Sequence, residues 1–478
     1  KLQFGTTLSM DMEIGWLESG DVIELEIVSG GGDMDATLAY DILFFPQVDI
    51  QGQIEQALSR REPGTHIYPG RYFVNRNSPA AINLKGLSDF TVYAYNVEMI
   101  IRRPSQRILE IQGCTDVSIK GFVVDNDPLL FPQGTIISVA EDGAWMDIEL
   151  HEGYPVPNGE NANRSMVHDA ETRHRKKGAM DFVPRKIENL GNALYRLSTG
   201  QNNVGHGWEV GDYVSLTNQG AGSSCFINEC TRFQLIDVTL HSCARHFSIF
   251  EKYSSECLYR NVVMRPGPRP LLASIERLRS THADGIHSKY ASIGPHIEEC
   301  YFEGLGDDAI AINGCFSVVM KDALGDVVEV AVQEQSLYPG DHIRFYTDSG
   351  DLVYRKILNA TLIERDVSQI QNLVKKHYPN LQHVRLFQHI ISLQLDSVVK
   401  VSEGNLLANL DRNGRGFVLR NNQVKIGLYQ RCRFLRILQQ LDMVNHQYPH
   451  LQQQRKASIV FFNDFTTTVH HFVDWFGC

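Results

Sequence analysis

The stretch Ala283-Asp284-Gly285-Ile286-His287-Ser288 returns one period later as Asp307-Asp308-Ala309-Ile310-Ala311-Ile312. Other short strands that are rich in β-branched or aromatic residues recur in the same way. The strand that contains Asp237, for example, matches the later strand that contains Asn261. A period of about 24 to 27 residues is that of one coil of a parallel β-solenoid. We therefore predict an all-β fold in which successive coils stack parallel strands.

Two other repeat classes fit the sequence less well. Helical repeats need apolar residues at a 3.6-residue period, whereas the apolar residues here alternate in short runs. Leucine-rich repeats share the period, but the Leu and Asn ladder that defines them is absent from the sequence. A strand-based solenoid is therefore the preferred fold.

The period divides the 478-residue chain into segments. After Asp49 in the sequence, apolar residues at helical spacing predict a helix that caps the open end of the first coil. Two stretches without the period are too long for loops, so we predict small antiparallel β insertions that wall one face of the solenoid. The predicted segments are an N-terminal β segment (1–47), the cap and first coils (48–138), an inserted β segment (139–222), coils carrying the site (223–315), a second inserted β segment (316–398), the last recognisable coil (399–425) and a divergent tail (426–478).

Composition limits the functions that the chain can have. Hydrophobic residues make up 43% of the sequence and charged residues 21%, so we expect a buried core rather than disorder. The formal net charge of −11 argues against a nucleic-acid partner, and the basic run at 173–177 is interpreted as a solvated loop. No run of about eighteen uncharged apolar residues occurs, so no membrane span is predicted. Glycosylation sequons at Asn163 and Asn359 fit secretion, and we expect an extracellular protein.

The nine cysteines are scattered along the sequence, and no two of them form a C-x-x-C pair. This spacing excludes zinc-ribbon and thioredoxin motifs. Several cysteines stand beside apolar strand residues, as Cys300 does before Tyr301 and Phe302. We therefore interpret them as small core residues rather than as a disulfide framework.

The repeated stretch also brings carboxyl groups together. If its two copies stack on neighbouring coils, the Cα atoms of Asp284 and Asp308 lie about 4.8 Å apart, and Asp307 is adjacent in sequence. Like charges this close cannot all ionise, so at least one carboxyl pKa should rise. An acid and a base at one pH are what glycosidic bond cleavage requires. Calcium binding and hydrogen bonding to backbone at solenoid corners are the alternative uses of such aspartates.

These paired motifs resemble those of right-handed parallel β-helix glycoside hydrolases. The first motif ends in Asp-Gly and the second is Gly-Asp-Asp, as in polygalacturonases. A broader similarity to the β-helical α-1,3-galactosidases involves residues 124–128, 133–136 and 296–308 and the inserted segments, over about residues 48 to 425. The resemblance implies a right-handed parallel β-helix and an inverting hydrolase. It also implies that the catalytic aspartates are Asp284, Asp307 and Asp308, with Asp307 as the general acid.

The sequence departs from polygalacturonases after the second motif. Their following coils carry Gly-His-Gly and Arg-x-Lys, whose cation binds the uronate carboxylate, whereas an insertion follows Asn313 here. We therefore expect a neutral sugar rather than pectin. Gly285 and Gly306 flank the carboxylates and are expected to leave space for substrate close to the backbone.

Further residues are predicted to bind substrate around the three aspartates. For several of them a structural role is an equal or better alternative, such as a hydrogen-bonded core histidine or a surface arginine. No cofactor and no metal are expected, and the expected partner is an oligosaccharide or polysaccharide, with neither nucleic acid nor membrane. The predicted substrate-binding residues are His287, Arg279, Lys252, Glu251, Asp127 and Asn313.

Four functions are consistent with this pattern. The preferred one is an inverting, exo-acting glycoside hydrolase, an α-galactosidase, whose acid and base carboxyls should stand about 6.5 to 9.5 Å apart. The second is an endo-acting polysaccharide hydrolase with an open groove. The third is a polysaccharide lyase, which is disfavoured because no basic residue is in register with Asp284 and Asp308. The fourth is a non-catalytic β-helix that binds carbohydrate.

Overall fold

In a computed structural model of the protein, residues 49–74, 77–217, 220–381 and 384–425 are described, together with the backbone of a short strand at 435–436. The predicted N-terminal β segment (1–47) lies outside the described residues, and so does the divergent tail (426–478) apart from that strand. Within the described residues the fold is mostly β and includes two parallel sheets.

The first coils begin with the predicted helix. Asp49 caps it, because its side chain accepts a hydrogen bond from the backbone N–H of Gly52 at 2.7 Å. Ile50, Ile54 and Ala57 are buried in the core between the parallel sheets, so the helix covers one end of that core. The elements are α1 (Ile50–Ser59), β1 (Gly64–His66), β2 (Gly70–Phe73), β3 (Ala80–Lys85), β4 (Ser88–Ile101), β5 (Arg107–Gln112) and β6 (Thr115–Asn126).

The first inserted segment is a six-stranded antiparallel sheet with its own apolar core. It begins at Gln133, earlier than the predicted residue 139, because the strand that starts there already pairs antiparallel with its neighbours. Its strands are β7 (Gln133–Val139), β8 (Trp145–Leu150), β9 (Arg164–His168), β10 (Lys186–Gly191), β11 (Leu194–Ser198) and β12 (Tyr213–Thr217). The parallel strands resume at Gly220, close to the predicted boundary of 222.

The coils that carry the candidate site follow this insertion. Their strands are β13 (Gly220–Asn228), β14 (Gln234–Leu240), β15 (Arg245–Lys252), β16 (Leu258–Met264), β17 (Asp284–Lys289), β18 (His296–Glu298), β19 (Tyr301–Glu303) and β20 (Ile310–Asn313). Buried positions alternate along part of β14 and β16, as the sequence pattern predicts, whereas β17 is buried at all but its last residue and β20 is buried throughout.

The second inserted segment is a closed six-stranded barrel with an added helix. The helix, which was not expected from the sequence, buries Ile370 and Val374 against the barrel core. The barrel runs to Asn409, so the predicted boundary at 398 is too early: β25 and β26 pair with barrel strands rather than with a coil. The elements are β21 (Phe316–Val319), β22 (Ala323–Val332), β23 (His342–Tyr346), β24 (Leu352–Ile363), α2 (Val367–His377), a 3₁₀ turn (Val384–Leu386), β25 (His389–Val401) and β26 (Leu406–Asn409).

The chain then returns to the parallel sheets through β27 (Val418–Arg420), β28 (Gln423–Lys425) and β29 (Leu435–Arg436). Sheet A has the spatial order β1-β4-β6-β14-β16-β18-β27, with β2, β19 and β28 paired alongside, and sheet B has the order β29-β20-β17-β15-β13-β5-β3. Along the parallel part of the chain, single strands of sheet B therefore alternate with one or two strands of sheet A; β1 with β2, β18 with β19 and β27 with β28 are the consecutive strands that share sheet A. The main core fills the space between them.

The register of the parallel sheets has the predicted period. In sheet B, Ile286 pairs with Ile310, and in sheet A, Gln234 pairs with Leu258, so both pairs have the same offset along the chain. Ser88 pairs with Thr115 at a slightly longer offset. The repeats seen in the sequence are thus strands that lie side by side.

The cysteines in the described residues are free thiols. Six are buried, namely Cys114, Cys225, Cys230, Cys243, Cys257 and Cys300, and Cys315 is half-buried. These positions confirm the interpretation of the six as small core residues, whereas Cys432 and Cys478 lie outside the described residues. No helix in the described part of the chain has the length and apolarity needed to cross a membrane.

Candidate active site

Three carboxyl groups converge at one end of the paired strands β17 and β20. One oxygen from each of Asp284, Asp307 and Asp308 lies within 4.8 Å of the others. The strands are held in register there, since the Gly285 N–H donates to the Asp308 carbonyl at 2.9 Å. Asp284 and Asp308 are buried, with 7% and 1% of their surface exposed, whereas Asp307 is exposed. The cluster therefore has two enclosed carboxyls and one that solvent reaches.

The two glycines beside this cluster allow close packing of the backbone. A Cβ atom on Gly306 would lie 1.8 Å from the His282 carbonyl oxygen, and one on Gly285 would lie 2.5 Å from the Ala309 carbonyl oxygen. The predicted space for substrate at these positions is thus wrong, because neighbouring backbone occupies it. The glycines matter by letting the two aspartate-bearing segments meet.

His287 is fixed in orientation by Asp284 and Asn313. Its Nδ1 lies 2.7 Å from Asp284 Oδ2, and its Nε2 lies 3.2 Å from the Asn313 side-chain nitrogen. An amide that donates to Nε2 requires the ring proton on Nδ1, which then donates to the carboxylate. The structure thus brings together two predicted substrate-binding residues, His287 and Asn313, with Asp284.

Aromatic side chains surround His287 and were not identified from the sequence. The Phe247 ring centroid lies 4.3 Å from that of His287 and 4.6 Å from that of Phe250. His246 packs edge-on against Phe247 at 4.6 Å, and burial lowers its pKa, while Asp284 and Asp307 act in the opposite direction. The sequence feature that could have indicated these residues is the run His246-Phe247, because Phe247 pairs with Asp284 at the start of β17.

Arg279 binds backbone carbonyls and does not point to the solvent-exposed side of the carboxylate cluster. It is 3% exposed, and its guanidinium donates to the carbonyls of Thr281 and His282 at 3.2 and 2.7 Å. It therefore shapes the loop that leads into Asp284. The structure gives this residue a positioning role instead of the predicted contact with substrate.

Glu251 points into the core, contrary to the prediction that it lines the site. Its neighbour Ile249 packs inward, and side chains two apart along a strand share a face. Glu251 is 1% exposed and accepts a hydrogen bond from the Ser288 hydroxyl at 3.0 Å. Burial raises the pKa of Glu251 to about 7, although the nearby Tyr259 hydroxyl and the hydrogen bond from Ser288 act against this rise.

Lys252 and Asp127 also make different contacts from those predicted. Lys252 forms an ion pair with Glu334 of the second inserted segment, and Lys289 pairs with the same carboxylate at 3.2 Å. Lys252 thus contributes to the contact between sheet B and the barrel.

Asp127 is exposed beyond the end of β6. The buried carboxylate of that strand is Asp125, which is hydrogen-bonded to Arg277 and to Ser242.

Both inserted segments contact sheet B or the loop leading into it. In the first, the Thr217 hydroxyl lies 2.9 Å from His282 Nδ1, two residues before Asp284. Burial, with Arg279 nearby, lowers the pKa of His282 to about 3, so this ring is neutral in ordinary buffers. In the second, Glu334 meets Lys289 at the end of β17. The expectation that both insertions line the same face of the solenoid stays a prediction.

The expected spacing of the acid and base is a distance between whole carboxyl groups. An inverting pair usually stands about 6.5 to 9.5 Å apart, and a retaining pair about 5 to 5.5 Å apart. In the cluster, one oxygen from each carboxyl lies within 4.8 Å of the others, which is a distance between single oxygens. The predicted separation of the carboxyl groups therefore stays a prediction.

Comparison with known proteins gives a distant similarity to a galactosidase. The chain is 24% identical over 262 residues to alpha-1,3-galactosidase B of Bacteroides thetaiotaomicron, over 50% of this chain and 41% of the relative. It thus matches about two fifths of that relative's length. No model of a known protein family matches the chain. The sequence similarity supports a relationship to the glycoside hydrolases.

Two solved structures show low similarity. A candidate glycosyl hydrolase from Parabacteroides merdae has 12% identity and a TM-score of 0.26, over 55% of this chain and 79% of that chain. The tailspike protein gp49 of Pseudomonas phage LKA1 has 10% identity and a TM-score of 0.16, over 55% of each chain. Neither similarity is high enough to support a conclusion about this chain.

Proposed function

We propose that this protein is a glycoside hydrolase that removes terminal α-linked galactose from a carbohydrate. The observation that carries the proposal is the convergence of Asp284, Asp307 and Asp308 from two paired strands. The distant similarity to an alpha-1,3-galactosidase supports the substrate class. The basic residues predicted near the site are engaged by backbone carbonyls or by Glu334, which favours hydrolysis over a lyase reaction that needs a free basic side chain.

The proposal includes a fold. We take sheets A and B to be two faces of a right-handed parallel β-helix, which explains why the chain passes from one sheet to the other and back with a repeating offset. The inserted sheet and the barrel would then wall the face formed by sheet B. Walls on this face favour an exo-acting enzyme with a pocket over an endo-acting one with an open groove.

In the proposed reaction the exposed carboxyl is the general acid. Asp307 gives its proton to the glycosidic oxygen as the bond from that oxygen to the anomeric carbon breaks. Asp284 and Asp308 together hold a water molecule, whose oxygen bonds to the anomeric carbon while one of the two carboxylates takes its proton. His287 holds Asp284 in place through the 2.7 Å hydrogen bond. This single displacement inverts the anomeric configuration.

The stereochemical outcome is the sharpest test of that reaction, because a single displacement inverts the anomeric configuration and a double displacement retains it. Proton NMR of the first-formed sugar from an aryl α-galactoside should show β-galactose. If α-galactose forms first, the displacement is double and one aspartate is the nucleophile.

The function itself is tested by incubating the protein with aryl α-galactosides, pectate and carrageenan, with and without a chelator. We expect release of galactose that the chelator does not reduce. Loss of activity with chelator would assign the acidic cluster to a divalent cation, and an unsaturated product would establish a lyase. No release from any of these substrates would favour a non-catalytic carbohydrate-binding protein.

We also propose that the protein is secreted, which the two glycosylation sequons favour.

A further inference from the structure

A row of side chains with aromatic rings leads away from the carboxylate cluster across sheet B. Phe226 of β13, Phe250 of β15 and His287 of β17 occupy matched positions on neighbouring strands. The residues before or after them, Ile227, Ile249 and Ile286, are buried in the core between the sheets. Because side chains alternate along a strand, the three rings lie on the opposite, outward face.

The row is continuous with the candidate active site. His287 lies 2.7 Å from Asp284, its ring centroid is 5.6 Å from that of Phe250, and Phe250 is 5.8 Å from Phe226. At about 4.8 Å between strands, the row extends about 10 Å from His287 to Phe226. This length accommodates two sugar rings beyond the residue at the carboxylates.

The chemistry of the row suits a carbohydrate. Phe226 and Phe250 are half-buried, so each keeps part of its surface accessible. Pyranose rings present C–H groups on one face, and these pack against aromatic rings, whereas the sugar hydroxyls need polar partners. Arg107 supplies such a partner at the far end: its guanidinium carbon is 5.0 Å from the centre of the Phe226 ring, and Glu110 holds it at 2.8 Å.

We infer that this row is an oligosaccharide-binding track, and the inference rests on the proposed hydrolase function. The terminal galactose binds at the carboxylates, the next sugar stacks on Phe250, and the third contacts Phe226 and Arg107. The preferred substrate is therefore an oligosaccharide of at least three sugars with a terminal α-galactose.

The test compares two substrates: a linear trisaccharide with terminal α-galactose and an aryl α-galactoside. Replacing Phe226 by Leu keeps an apolar side chain but removes the ring. We expect KM for the trisaccharide to rise about tenfold more than KM for the aryl galactoside, with little change in kcat for either. Phe226→Tyr keeps the ring and should restore the trisaccharide KM.

Tyr93→Leu is the matched control, because Tyr93 is a half-buried ring on the outward side of sheet A. It should change neither KM, and melting temperatures identify any variant that is misfolded. Equal KM values for Phe226→Leu and wild-type protein on the trisaccharide would overturn the inference.

A binding measurement separates this inference from the proposed function. Calorimetric titration of the Asp307→Asn protein with the trisaccharide needs no turnover. About tenfold weaker binding after adding Phe226→Leu supports the track even if the wild-type protein hydrolyses none of the substrates. Absence of trisaccharide binding to a folded protein overturns the track, whatever the activity on aryl galactosides.

Discussion

Asp307 differs from the other two aspartates of the cluster in its exposure to solvent. A general acid has to reach the leaving-group oxygen, whereas carboxylates that hold a water molecule can be enclosed, as Asp284 and Asp308 are. Replacing Asp307 by Asn keeps the shape of the side chain and removes the proton. We expect turnover of a natural galactoside to fall by about 10² to 10⁴.

The leaving group distinguishes this role from others. The Asp307→Asn loss should shrink on a nitrophenyl galactoside, which needs little protonation to depart. Asp284→Asn and Asp308→Asn should slow both substrates alike, because water still has to be activated. Steady-state kinetics on both substrates measures the difference, and unchanged turnover of the natural galactoside by Asp307→Asn would remove this residue from the mechanism.

Glu251 gives a prediction about stability. Its pKa of about 7 lies above the ordinary value of 4.5, so the folded protein holds a proton that the unfolded chain releases between these two pH values. The stabilisation is fully present below pH 4.5 and is lost as the pH rises through about 7. Its size is on the order of 3 kcal/mol.

Thermal melts of wild-type protein and Glu251→Gln from about pH 4.5 to 8 measure this effect. The variant keeps the acceptor for Ser288 but cannot ionise, so its stability relative to wild type should increase as the pH rises. Two parallel stability curves would show that Glu251 does not titrate in this range.

The orientation of Glu251 also shows where the sequence misleads. In the run Phe250-Glu251-Lys252 hydrophobicity alone predicts the phenylalanine inside and the charges outside. The alternation is fixed instead by Ile249, which pairs with Cys225 and Ile286 in the buried core and so turns Glu251 inward and Phe250 outward. The proximity of the three aspartates could be predicted from the sequence, because the register of their strands follows from the repeat itself.

At the scale of elements, the approach of β17 to the loop before β20 depends on glycine. Gly306→Ala would place a Cβ atom 1.8 Å from a backbone oxygen, which no rotamer change can relieve. We expect the free energy of unfolding to fall by about 3 kcal/mol or more, with loss of the site geometry. Gly325→Ala is the control, because no atom lies within 4 Å of its added Cβ.

Denaturant titration of both variants measures these free energies. The control should stay close to wild type, since alanine costs less conformational entropy than glycine on folding. A Gly306→Ala protein as stable as the control would mean that the two segments can separate without cost.

The sequence predicts the periodic elements better than the inserted ones. The repeat spacing was sufficient to predict which strands pair, because the parallel register repeats the same sequence pattern. The insertions lack such a repeat. Their limits at Gln133 and Asn409 depend on which partner each strand finds, and that is a tertiary property that local pattern does not contain.

At the scale of the whole molecule, Glu334 joins the barrel to sheet B. It pairs with Lys252 and Lys289, whose side chains are only 19% and 17% exposed. Removing the shared charge with Glu334→Gln leaves two partly buried ammonium groups close together, so we expect a loss of stability of about 1 to 3 kcal/mol.

Melting temperatures of Glu334→Gln and Glu188→Gln test this connection. Glu188 belongs to a more exposed pair with Lys186, for which little change is expected. Adding Lys289→Met to Glu334→Gln should recover part of the loss, because one of the repelling charges is gone. A loss equal to that of Glu188→Gln would show that the ion pairs do not hold the barrel.

The way in which the insertions interrupt the parallel sheets has a consequence for how the chain folds. Ser118 pairs with Gln234, and His296 pairs with Val418, so strands on either side of each insertion become neighbours. Contacts this distant in sequence close slowly, because the chain loses loop entropy before the pairing is formed. Each insertion has its own core and can form first, which shortens the effective loop. On the ribosome, the edge of β6 therefore stays unpaired until the whole first insertion has emerged, and this is the stage at which a nascent chain is most exposed to aggregation.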